Sequence, residues 1–135
     1  MKRTKTGFTF IEILVVITII ALLSTAAIVS YRSAQTKARD NKRKSDLEQV
    51  RAALEMYRSD EGIYPAGNWS TMTGTLTGYM NDVPTDPREY SYYYTRPTTT
   101  SYQLCAYFEN EGNGANCGAN CGTAPANCNY SVANP

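Results

Sequence analysis

Twenty-two consecutive residues, Phe8 to Val29, carry a single ionisable side chain, Glu12, and follow a lead that bears Lys2, Arg3 and Lys5. About 20 helical residues at ~1.5 Å each cover the ~30 Å of bilayer hydrocarbon, so this run is long enough to span a membrane. Three cations at its N-terminal edge predict that this end stays cytoplasmic and that everything beyond residue 30 is delivered to the far side. The rest of the 135-residue chain is polar and holds 11 tyrosines. It has too little aliphatic material for a large core, which points to a small head on a stalk. The chain contains no histidine, and so lacks the commonest general base at neutral pH and any Ser-His or Cys-His nucleophile pair. We expect no enzyme, no catalytic residue and no cofactor.

Three readings of the apolar run compete: an uncleaved anchor, a secretory signal, and a specialised leader followed by a retained helix. Ser24, Thr25 and Ala26 resemble a signal peptidase site. Glu12 weighs against that reading. A carboxylate costs roughly 2.5 to 3.5 kcal/mol at the bilayer centre and is usually paired there, and a disposable signal gains nothing from the cost. Cleavage after Gly7 would supply a partner, because the new α-amino group of Phe8 stands four residues from Glu12.

The run GFTFIEILVVITIIALLS, from Gly7 to Ser24, resembles the processing and assembly motif of type IV pilins and type II secretion pseudopilins. The resemblance implies that a prepilin peptidase cuts after Gly7 and N-methylates Phe8, and that Glu12 guides filament assembly. It implies polymerisation of copies of this chain into a helical filament by an assembly platform protein and an ATPase, with the membrane holding each subunit beforehand. Many relatives have a proline about 22 residues into the mature chain, where this sequence has Val29. The segments EGIYP (residues 61–65) and VPTDP (residues 83–87), followed by Tyr90, Tyr92 and Tyr94, are similar to the head of the major pseudopilins.

Neither proline nor glycine occurs from Phe8 to Glu61, and Leu47, Val50, Leu54 and Tyr57 recur at steps of three and four. This spacing predicts one helix that ends at Gly62 and Pro65, apolar all round in its first half and amphipathic in its second. Residues 31–60 hold eight basic and five acidic side chains, and residues 61–135 two basic and six acidic. Such a basic stalk beneath an acidic head suggests self-association. The charged stretch Lys37 to Lys44 reads as a solvated helix face. No aromatic residues interleave with it, so any nucleic-acid role would be indirect.

Residues 62–89 are punctuated by glycine and proline and read as loop, with a short helical turn near Leu76 to Met80. Tyr90 to Thr95 and Ser101 to Glu109 predict an antiparallel hairpin with a five-residue loop. Alternation places Tyr90, Tyr92 and Tyr94 on one face and Tyr102, Leu104, Ala106 and Phe108 on the other strand's matching face. A third short strand is expected near Tyr130 to Val132. Cys105, Cys117, Cys121 and Cys128 lie beyond the apolar run and read as two disulfides, with all three connectivities open. Their spacing lacks the paired C-x2-C knuckles of a zinc ribbon. Many major pseudopilins bind calcium through an acidic C-terminal loop; no Asp or Glu follows Glu111 here, and we assign no metal. Asn68-Trp-Ser and Asn129-Tyr-Ser match the N-glycosylation sequon.

The expected architecture is therefore α+β and type IV pilin-like: a long N-terminal helix packed on a small antiparallel sheet with a disulfide-bonded C-terminal loop. Its parts are a leader (residues 1–7), a transmembrane and assembly helix (8–30), an amphipathic stalk (31–61) and a β head (62–135). The expected function is a structural subunit of a type IV pilus-like filament, serving adhesion, motility or DNA uptake. The subunit would pass from a single-pass position in the inner membrane, head outside the cytoplasm, to a surface filament. One alternative is a pseudopilin of a type II secretion system, in a periplasmic pseudopilus. Another is a monomeric membrane-anchored module whose uncut N-terminus is an anchor and whose tyrosine face binds a glycan or peptide.

Overall fold

The computed structural model describes residues 7–110, 117–122 and 127–134. The basic lead and the tail stretches 111–116 and 123–126, including Glu111, lie outside the described residues. The elements are helix α1 (Phe10–Glu61), helix α2 (Trp69–Thr75), a 3-10 turn (Leu76–Gly78), and strands β1 (Tyr93–Thr98), β2 (Ser101–Ala106) and β3 (Tyr130–Ala133). The strands form one antiparallel sheet in the order β1-β2-β3. This is the expected α+β class. The chain divides into two compact units, with the boundary between Gln35 and Thr36 inside α1.

α1 runs uninterrupted because its 52 residues contain neither proline nor glycine. It stops where Gly62 takes the left-handed conformation, φ 78°, and its amide donates to the carbonyl of Arg58 at 2.8 Å. A glycine adopts that turn without a side-chain penalty and so closes the helix. In the first unit every described side chain is exposed, including Phe10, Ile11 and Leu22.

In the second unit, Leu47, Val50 and Leu54 are fully buried and share a core with Tyr92, Tyr94, Tyr102, Leu104, Ala106 and Phe108. Tyr57 packs at its margin. The register aligns Tyr94 with Leu104 and Leu104 with Val132, so the inward-facing rows of all three strands coincide. Burying tyrosine requires a partner for each hydroxyl. Tyr94 donates to the carbonyl of Pro65 at 2.7 Å, Tyr92 to Asp46 at 2.8 Å, and Tyr102 to Glu55 at 3.2 Å. Burial is the main reason that the Tyr94 hydroxyl is pushed up to about 12, so it stays a donor.

Three local expectations are corrected. Residues 69–75 form a helix where loop was expected. Asn68 caps it by accepting from the Thr71 amide at 3.0 Å, and Met72 and Leu76 are fully buried beneath it. β1 begins at Tyr93 and continues through Arg96 and Pro97 to Thr98, leaving a turn at Thr99 and Thr100 instead of a five-residue loop. β1 is an edge strand, where a proline costs no ladder bond, and the pairing shifts register between Thr95 and Thr98. β2 ends at Ala106, short of Glu109, because the Phe108 amide turns to the Asn129 side chain at 2.7 Å.

The disulfides are Cys105–Cys117 and Cys121–Cys128. The first ties the tail to buried strand β2. The second closes the tail on itself beside an isolated bridge between Asn120 and Asn127. Both sequon asparagines are structural: Asn68 is the α2 cap, and Asn129 exchanges two hydrogen bonds with the Phe108 backbone.

Candidate processing and assembly site

Gly7, Phe8 and Thr9 precede α1 in non-helical backbone. A helix start leaves its first amides without intrahelical acceptors, and here Thr9 and Glu12 meet that need for each other. The Glu12 amide donates to Thr9 Oγ1, while the Thr9 amide and hydroxyl both donate to Glu12 Oε2, each at 3.3 Å. This is a Thr-x-x-Glu capping box, with Thr9 as the cap and Glu12 three residues on. The carboxylate is thus drawn back toward the Gly7–Phe8 end of the chain. Phe8 is 82% exposed, and a side chain added at Gly7 would meet nothing within 4 Å. The fold itself does not demand glycine at that position.

Beyond the box, α1 is largely apolar on its surface as far as Ile28, and the hydroxyls of Thr18 and Thr25 turn back to the helix carbonyls of Val15 and Leu22. Phe10, Ile11, Ile13, Leu14, Ile17, Ile20 and Leu23 are all exposed. The helix is long and apolar enough to cross a membrane, and its apolar window has no buried residue. Water is a poor solvent for such a surface, so lipid or other copies must cover it.

The second unit holds residues whose part the sequence did not reveal. Lys37 to Lys44 reads as a solvated face, but Arg43 within it has no exposed surface. Its guanidinium donates to Asp86 at 2.6 Å and Asp40 at 2.7 Å, and lies 3.1 Å from Glu109. Arg39 and Arg88 also pair with Glu109, at 2.6 and 3.0 Å. Asp40 further accepts the backbone amides of Glu109 and Asn110, both at 3.0 Å. One helical turn of α1 therefore anchors both the loop before β1 and the segment after β2. Burial pulls the Arg43 guanidinium down, but hydrogen bonding and charge from Asp86, with Asp40 and Glu109 behind them, raise it above the ordinary arginine value. Hydrogen bonds from Arg39, then Arg43 and Arg88, hold the Glu109 carboxyl at about 2 against the opposing effect of burial. The signal available in sequence was an arginine flanked by aspartate at i−3, a pattern too common to single out.

The structure separates the candidate residues into two sets. Gly7, Phe8 and Glu12 are gathered at the start of α1, and the four cysteines lie in the second unit. The tyrosine face that a glycan- or peptide-binding module would use is core: Tyr92, Tyr94 and Tyr102 are at most 5% exposed.

Residues 2–28 match the prokaryotic N-terminal methylation motif, and residues 30–120 match type II secretion system protein G. The chain belongs to the type II secretion protein G family. Among relatives, the type II secretion system core protein G of Pseudomonas aeruginosa is 31% identical over 111 residues, covering 73% of this chain and 78% of that protein. The protein of the same name from Vibrio cholerae is 29% identical over 107 residues, covering 70% and 73%. The fimbrial protein EcpC of Eikenella corrodens is 31% identical over 85 residues, covering 62% of this chain and 56% of EcpC. No solved structure matches. The family is one of structural, pilin-like subunits.

Proposed function

We propose that this chain is the repeating subunit of a type IV pilus-like filament, processed between Gly7 and Phe8, methylated at Phe8, and polymerised through the exposed apolar part of α1 with Glu12 as the assembly carboxylate. The observation that carries the reading is the conjunction in one chain of a methylation motif and an uncovered apolar helix with a protein G match over residues 30–120. In the precursor, lipid covers the helix, and the head, residues 62–135, lies outside the cytoplasm. In the filament, neighbouring helices take the place of lipid. Each Glu12 then meets an α-amino group, its own or a neighbour's, which offsets the cost of a carboxylate in an apolar bundle. Prepilin peptidase, a platform protein and an ATPase are the partners this requires.

The protein G relatives favour a type II secretion pseudopilus, and the fimbrial relative favours a surface pilus. Intact-mass and N-terminal peptide spectrometry of the non-reduced protein, from membranes and from a sheared surface fraction of its host, tests these points together. The expected product lacks residues 1–7, carries a methyl group on Phe8 and is short of four hydrogens for the two disulfides. Its presence in the sheared fraction indicates a surface pilus, and its confinement to the envelope a pseudopilus. An intact N-terminus in both fractions would overturn the proposal.

A further inference from the structure

We infer that Thr9 is a positioning residue for processing: by capping α1 it keeps the Gly7–Phe8 peptide bond outside the helix, where a peptidase can take it as extended chain. The inference rests on the processing reading above. A peptide bond inside a helix has its carbonyl and amide directed along the helix axis and its faces crowded by the adjoining turn, so where the helix begins decides whether the bond can be reached.

Two starts compete in this sequence. The observed one has Thr9 as the cap, with the three reciprocal hydrogen bonds to Glu12. Its first intrahelical bond runs from the Ile13 amide to the Thr9 carbonyl at 3.3 Å. The other would use Thr6, the next residue upstream of a type that caps helices. That start would draw Gly7 and Phe8 into the first turn. It has no acidic partner, since the residue three positions after Thr6 is Thr9, and it would place a glycine in the helix at a conformational cost. The box thus favours the register in which the scissile bond remains outside the helix. It also holds the Glu12 carboxylate one residue from the amino group that cleavage creates, so the same three bonds serve both sides of the processing step.

The test uses the full chain in membrane vesicles with a prepilin peptidase and compares wild type with Thr9→Val, Thr9→Ser and Glu12→Gln. Valine keeps the shape of threonine without the hydrogen bond, serine keeps the cap, and glutamine keeps the box because its amide serves at the third position. Thr9→Val should lower the initial cleavage rate by at most about fivefold, the change in the equilibrium between helix starts that losing one cap of about 1 kcal/mol produces. The Cα chemical shift of labelled Phe8 in the uncut chain should move toward the helical value in that variant. Thr9→Ser and Glu12→Gln should be cut at wild-type rates with Phe8 unshifted. Cleavage of Thr9→Val at the wild-type rate, or slowed cleavage with no shift at Phe8, would overturn the inference while leaving the processing reading intact. A wild-type chain that is never cut between Gly7 and Phe8 would overturn both.

Discussion

Replacing Arg43 with methionine should cost far more than its place in a charged helical stretch suggests. The guanidinium has no exposed surface and its partners are nearly as deep, with Asp86 at 1%, Asp40 at 8% and Glu109 at 10% side-chain exposure. Methionine fills most of the space but leaves three carboxylates facing one another. Glu109 retains Arg39 and Arg88, whereas Asp86 loses the guanidinium donors at 2.6 and 3.2 Å. Removing one member of a buried ion pair typically costs about 3–5 kcal/mol, because the penalty is the stranded charge rather than the lost attraction. For a folded unit of roughly 100 residues, 1 kcal/mol moves Tm by about 4–8 °C, so a fall of about 12–40 °C is expected. Trp69 packs 5.2 Å from Tyr92 in the same unit, and its fluorescence reports unfolding of the detergent-solubilised chain. A loss below about 1 kcal/mol, the value of an exposed ion pair, would refute this account of the cluster.

Glu109, held at about 2 against an ordinary 4.5, contributes stability that is fully present above its unfolded pKa and is lost as pH falls from about 5 toward 2, on the order of 3 kcal/mol. Acid titration of the wild type should show this slope, and Glu109→Gln should flatten it. Glu12→Gln retains the capping box but not the charge, so it should be processed and folded yet yield little sedimenting filament; wild-type yield would remove the carboxylate from assembly. Opening the Cys105–Cys117 bridge, which spans 12 residues, by a double serine substitution should cost about 3 kcal/mol. Opening Cys121–Cys128, separated by 7, should cost about 2.5 kcal/mol, measured as the shift in urea midpoint.

What could be read from the sequence alone was whatever depends on neighbours along the chain. Absence of breakers from Phe8 to Glu61, the spacing of Leu47, Val50 and Leu54, and Gly62 at the end determine α1. Alternating tyrosines determine which faces of the hairpin turn inward, and the lead, Gly7, Phe8 and Glu12 mark the candidate site at its start. Even the α2 helix had its signal in Asn68, Met72 and Leu76, though Gly74 and the surrounding threonines obscured it. Tertiary structure decided the matters that depend on residues far apart in the chain. The Arg43–Asp86 pair is 43 residues apart and the Arg39–Glu109 pair 70. An arginine is solvated or buried according to whether the fold delivers carboxylates to it, and no local pattern encodes that delivery. Cysteine pairing has the same origin: the folded unit brings Cys117, rather than Cys121 or Cys128, to Cys105. Local propensities act within a turn or two of helix, while burial of charge and closure of a disulfide are properties of the assembled core.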